Sequence, residues 1–161
     1  MKLYIKQKVF SWRDKFVIKD ENDHDKYSAE GEIITWGRKL HIYNARGNEV
    51  AYIRQKLFTF MPRYDIEVNG QTYTLVREFS FLHPKLRLEG LPWTMEGNFM
   101  AHDYQLKDNN DIVMIISKHW FTWGDSYELD IINPRNELLC LCIALAIDCM
   151  NAGSSSTTST N

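Results

Sequence analysis

The sequence predicts a mainly β domain (α+β in some schemes): a closed twelve-stranded antiparallel barrel around a buried, hydrophobic C-terminal helix. Three observations predict it. One strand–turn–strand unit recurs six times, two kinds of turn alternate along the chain, and one stretch near the C-terminus is apolar on every face. Hydrophobic residues make up 44% of the 161 residues and aromatics 13%, a share that suits pleated surfaces and a single domain with a sizeable core.

The unit is clearest at Phe121-Thr122-Trp123, followed after three residues by Tyr127-Glu128-Leu129. The same shape occurs at Phe10-Ser11-Trp12 with Phe16-Val17-Ile18, at Ile34-Thr35-Trp36 with Leu40-His41-Ile42, and at Phe58-Thr59-Phe60 with Tyr64-Asp65-Ile66. A copy one residue longer is Phe79-Ser80-Phe81 with Leu86-Arg87-Leu88, and a weaker one is Asn98-Phe99-Met100 with Tyr104-Gln105-Leu106. The copies begin at 10, 34, 58, 79, 98 and 121. Apolar residues at alternate positions mark strands with one buried face. The gaps carry the turn formers Gly37, Pro62, Pro84, Gly124 and Asp125. A second set of turns separates the copies, of which Asn69-Gly70 is the sharpest, since both residues tolerate positive φ.

Two strands per unit place strands at 3–12, 16–20, 28–36, 39–44, 49–60, 63–68, 72–81, 85–89, 92–100, 103–107, 112–123 and 126–132. Alternating turn types favour an antiparallel meander over a solenoid, and closure removes both edges. In strand 49–60, Arg54, Lys56, Phe58 and Phe60 share parity, which would mix charge with aromatics on one face, so a bulge is expected there.

The last element starts at Asn133-Pro134, with Asn as N-cap and Pro at the first helical position. Leu138 to Ile147 then offers no solvent face, and a helix of about 14 residues, roughly 21 Å, suits the inside of a barrel too wide for its own side chains to fill. The domain is expected to span 1–152, followed by a disordered Ser/Thr-rich tail at 153–161.

Chemistry-bearing patterns are sparse. Cys140, Cys142 and Cys149 lie in the most apolar run, which points to buried reduced thiols and a reducing compartment. The five histidines show no metal-ligand spacing and are expected at the surface or in turns, His102 among them. Glu21, Asp23, Asp25 and Glu32 mimic positions of a calcium loop, but Lys26 stands where glycine is required, so an acidic solvated turn is expected. Asp148 is expected to emerge at the barrel mouth, the sharper alternative being a buried carboxylate anchored to strand backbone. No nucleophile elbow or Gly-rich phosphate loop occurs. No catalytic residue, metal or cofactor is therefore expected.

The basic residues are more suggestive. Arg38, Lys39, Arg46, Arg54, Lys56 and Arg63 cluster in sequence, and Lys8, Arg13 and Lys15 occupy like positions in the first unit. Turns repeated around a barrel could bring such residues to one rim, a positive ring for phosphate or a lipid headgroup. Arg38, Lys39, Arg54, Lys56 and Arg63 are the candidate ligand-binding residues. The net charge of −2 argues against nucleic acid, and the N-terminus lacks an apolar signal core, so a cytoplasmic protein, peripheral at a membrane, is expected.

The segments Gly37 to Tyr43, Gly47 to Ala51 and Gly97-Asn98-Phe99-Met100-Ala101-His102-Asp103-Tyr104 resemble the LURP-one-related family. So do Trp120 to Ile131 and the helix from Asn136 to Asp148. The resemblance implies a fold similar to the Tubby C-terminal domain and to phospholipid scramblases, a twelve-stranded barrel around a hydrophobic helix. It implies no enzyme activity with a known catalytic residue. Tubby domains bind phosphoinositide headgroups, so lipid binding is implied here by analogy of fold. The expected function is a non-enzymatic binding module for an anionic phospholipid headgroup or a protein partner, its oligomeric state left open. The alternatives are a small-molecule carrier or enzyme using a cavity beside the helix, and a Tubby-like transcriptional regulator.

Overall fold

The structure is a computed structural model that describes residues 1–6, 16–32, 36–78, 85–121 and 124–155. The chain forms β1 (Lys2–Lys6), β2 (Phe16–Asp20), β3 (Asp25–Gly31), β4 (Lys39–Asn44), β5 (Glu49–Gln55) and β6 (Arg63–Val68). It continues through β7 (Gln71–Glu78), β8 (Lys85–Glu89), β9 (Trp93–Asn98), β10 (Asp103–Asp108), β11 (Asp111–Phe121) and β12 (Gly124–Ile131) to α1 (Glu137–Ser155). Each strand pairs antiparallel with its sequence neighbours. The first strand also pairs with the last, Lys2 facing Asp130 and Lys6 facing Ser126, so the sheet closes into a twelve-stranded barrel without a free edge.

All twelve strands lie about where the repeat places them, but that at 28–36 runs Asp25–Gly31, and that at 92–100 stops at Asn98 before a 3₁₀ turn. Residues 7–12 and 79–81 of two others lie outside the described residues. The strand expected at 49–60 stops at Gln55. Its bulge lies at Val50, because Ile42 faces Ala51 while Tyr43 faces Glu49. The clash of parity between cations and aromatics disappears with the shorter strand. Phe58 takes a left-handed φ of 58°, which no strand continues through, and the segment becomes a turn.

The helix starts as expected. Asn133 accepts the Arg135 N–H on its side chain at 3.1 Å, and Pro134 opens a single 3₁₀ turn ahead of α1. At 19 residues, about 28 Å, α1 is longer than expected and runs through Ser155, past the boundary at 152. Residues 156–161 of the expected tail lie outside the described residues. Every residue from 140 to 150 is buried against the inward side chains of the strands. The three cysteines are free and buried; burial pushes the Cys140 thiol up to about 12 and also raises those of Cys142 and Cys149, so they pack as neutral groups.

The outer face is an ion-pair lattice. His41 on β4 lies between Glu32 (Nε2–Oε1 3.0 Å) and Glu49 (Nδ1–Oε1 3.2 Å), with the Tyr52 ring 4.7 Å away. The Glu49 contact is off the line of a hydrogen bond and acts as charge attraction. Burial opposes the charge on His41, yet the two carboxylates outweigh it and raise its pKa. A raised folded pKa stabilises below the unfolded value of about 6.5, and the gain is lost as pH rises through the folded value. His41, Lys39 and their hydrogen bonds in turn hold Glu32 below its ordinary value, so Glu32 stays charged at mildly acid pH. The difference in melting temperature between the wild type and His41→Gln is therefore expected to be largest from about pH 5 to 6.5 and to shrink by about pH 8. Thermal melts of both proteins across that range check it.

Candidate functional site

In a meander barrel the turns after odd-numbered strands all open at one end. The connection from β12 to α1 lies at the other end, so the C-terminus of α1 points to the first. Two contacts fix it there. Asn151 donates to the Phe99 carbonyl at 3.0 Å, and the Arg38 guanidinium donates to the Cys149 carbonyl at 2.5 Å, tying the last turns of the helix to the β9–β10 and β3–β4 connections.

This end is apolar at its tips. Trp36 is 82% exposed, Phe58 98%, Phe60 96% and Met100 66%. Two of the tips touch, since a Cβ at Gly37 would meet Leu57 Cδ2 at 2.9 Å, which joins the Trp36 turn to the Phe58 turn in one patch. Phe58 holds its almost fully exposed ring on a strained left-handed backbone. Trp36, Phe58 and Phe60, read from sequence as strand, stand here on a rim, whereas Phe121 lies in β11 and Phe99 is buried. The copies at Phe10-Ser11-Trp12 and Phe79-Ser80-Phe81, with Ile34, Thr35, Thr122 and Trp123, lie outside the described residues.

The structure brings the candidate cations to neighbouring strands but not into a free positive ring. Lys39 pairs with Glu32 at 3.1 Å. Arg54 reaches Asp65 at 3.4 Å and Glu67 at 3.6 Å, Lys56 reaches Asp65 at 3.4 Å, and Arg63 reaches Glu89 at 3.7 Å. Asp65 also accepts from the Thr74 hydroxyl at 2.8 Å and is only 5% exposed beneath these partners. Arg46 sits in the turn between β4 and β5, at the opposite end, and Lys8, Arg13 and Lys15 lie outside the described residues. The ring reading counted cations without the acids that face them across the ladder. The exposed pairs Lys39–Glu32 and Arg63–Glu89 contribute about 0.2–1 kcal/mol each, whereas the buried Asp65 holds Arg54 and Lys56 as partners it cannot lose cheaply.

Beneath the rim lies a polar cluster that corrects two expectations. Asp148 does not emerge at the mouth. It is 4% exposed, accepts from Tyr127 OH, and lies 2.9 Å from His102 Nε2, so it is anchored by side chains rather than strand backbone. His102 follows the 3₁₀ turn Phe99–Ala101 with φ 51° and is buried, its ring stacked on Tyr127 at 4.3 Å. Burial and the nearby Asp148 push the hydroxyls of Tyr104 and Tyr127 well above the ordinary tyrosine range, leaving both neutral. The cluster ties the β9–β10 turn and β12 to the helix end. Neither partner could be found from spacing, because His102 and Tyr127 lie 46 and 21 residues from Asp148.

The acidic turn is as expected. Asp20 Oδ1 accepts the N–H groups of Asn22 and His24 at 2.8 and 3.0 Å, and Lys19 reaches Asp23 at 3.0 Å and Asp25 at 3.6 Å. Glu32 lies past the far end of β3, out of reach of a shared ion.

A family model described as LURP-one-related matches residues 1–148. The uncharacterized protein YxjI of Bacillus subtilis is 35% identical over 149 residues, spanning 92% of each chain. An X-ray structure of a protein from Arabidopsis thaliana matches with a TM-score of 0.62 at 15% identity, covering 91% of this chain and 89% of that one. That likeness concerns the fold, the Tubby-like barrel around a central helix.

Proposed function

The chain belongs to the LURP-one-related family, and from that premise we propose that it is a non-enzymatic binding module whose aromatic-tipped end docks on an anionic phospholipid surface. The observation that carries this reading is the exposure of Trp36, Phe58 and Phe60 together at one end. Tryptophan and phenylalanine partition into the membrane interface, where an apolar ring enters and the backbone stays wet. Lys39 and Arg63 stand at strand ends just behind the tips, placed to trade their carboxylate partners for headgroup phosphates, and Lys56 directly follows β5. The barrel would sit on the surface, with α1 enclosed; no helix among the described residues is long and apolar enough to cross a membrane.

Co-sedimentation tests it, with vesicles of phosphatidylcholine alone and with added phosphatidylserine or a phosphoinositide. The wild type is expected to sediment with the anionic vesicles. The double variant Phe58→Asp/Phe60→Asp is expected to lose ten-fold or more in affinity, since each buried phenylalanine contributes about 1.5–3 kcal/mol. Absence of sedimentation at low salt overturns the lipid reading and leaves the same patch to a protein partner, which aromatic anchors also suit.

A further inference from the structure

A cavity of about 120 Å³ opens beside the end of α1, between β7, β8 and the Phe99–Ala101 turn. Leu86, Phe99, Met100 and Met150 form its apolar wall, and among the described residues Arg77 is the only ionisable one lining it. Its volume exceeds that of a water or two, at about 30 Å³ each, and approaches the roughly 150 Å³ of a cavity that admits benzene.

Arg77 faces Leu86 directly in the β7–β8 ladder, and Leu86 is 2% exposed toward the interior. Cross-strand partners share a face, so Arg77 stands on the inward face at the barrel's end. Among the described residues no carboxylate pairs with it, unlike Arg54, Lys56, Arg63 and Arg87 on the outside. A half-buried guanidinium on an apolar wall lacks the partner that such groups normally have.

We infer that this cavity binds a short-chain organic monocarboxylate, its carboxylate on the Arg77 fork and its alkyl or aryl end against Leu86, Phe99 and Met150. The planar guanidinium matches a carboxylate in two parallel hydrogen bonds. A phosphate dianion fits poorly, because a single cation serves the site and the carbonyl end of α1 carries partial negative charge. The site is separate from the aromatic tips and does not rest on the membrane reading.

Methyl-resolved NMR of the full chain tests it, with acetate, butyrate, hexanoate, benzoate, 1-butanol and butyl phosphate as probes. Saturable shifts confined to Met100, Met150 and Leu86 are expected, with affinity rising about four-fold per methylene until the cavity fills. Arg77→Gln is expected to weaken butyrate ten-fold or more and leave 1-butanol unchanged. Met100→Trp, at an exposed position beside the opening, is expected to block every probe and settles the matter if Arg77→Gln melts early. Phe58→Asp/Phe60→Asp is expected to bind butyrate as the wild type does. The inference is overturned by the absence of saturable shifts, by equal binding of 1-butanol and butyrate, by tighter binding of butyl phosphate, or by wild-type binding in Met100→Trp.

Discussion

Replacing Asp148 by leucine is expected to lower the free energy of unfolding by about 3–5 kcal/mol, enough to threaten a domain stabilised by about 5–15 kcal/mol. The cost is not the loss of one attraction. Leucine leaves His102 Nε2 and the Tyr127 hydroxyl buried without the acceptor they share, and stranded polar groups bear their full desolvation penalty. Asp148→Asn keeps one carbonyl oxygen and is expected to cost about 1–3 kcal/mol. The combination Asp148→Leu, His102→Leu and Tyr127→Phe removes every stranded group and is expected to recover most of the loss. Urea unfolding of the four proteins separates these cases. A single Asp148→Leu change as stable as the wild type would show that the cluster bears no part of the fold.

Replacing Gly97 by alanine is expected to cost about 4 kcal/mol or to prevent folding. Gly97 lies in β9 with φ 135°, a region closed to other residues, and an added Cβ would stand 2.6 Å from both the Asp103 carbonyl oxygen and Tyr104 Cα. Those atoms are backbone of the paired strand, where Gly97 faces Tyr104, so nothing can swing aside. Gly47→Ala is the control: its φ is 79° but nothing lies within 4 Å, so about 1 kcal/mol of backbone strain is expected. Equal unfolding midpoints for the two variants would refute the crowding argument.

How much of this was legible in the sequence follows from the range of the interactions. Strand number, turn positions and the central helix came from local alternation and turn chemistry, which the barrel keeps. The end of β5 was missed because Lys56, Phe58 and Phe60 continue the parity of Arg54, and only a left-handed residue at Phe58 breaks it. The fate of the cations was partly legible: Arg54 faces Asp65 across a single hairpin, so the neutralising acid follows once the turn is placed. Asp148 was not legible, since its partners come from the β9–β10 turn and from β12, and no periodicity links them to a helix. Arg77 was passed over because it belongs to no cluster of cations; its interest arises from the wall it stands on.

Closure of β1 on β12 also governs the order of assembly during synthesis. The first strand needs residues 124 to 131 for one of its two ladders, and α1, which fills the lumen, is made after every strand. Until then the growing chain presents an open sheet with two sticky edges and an apolar inner face that has nothing to cover it. Such distant pairing is slow to find, because the loop must be closed before any contact rewards it. Folding of this barrel is therefore expected to await synthesis of α1, and truncation just before α1 should yield aggregates rather than a shorter folded domain.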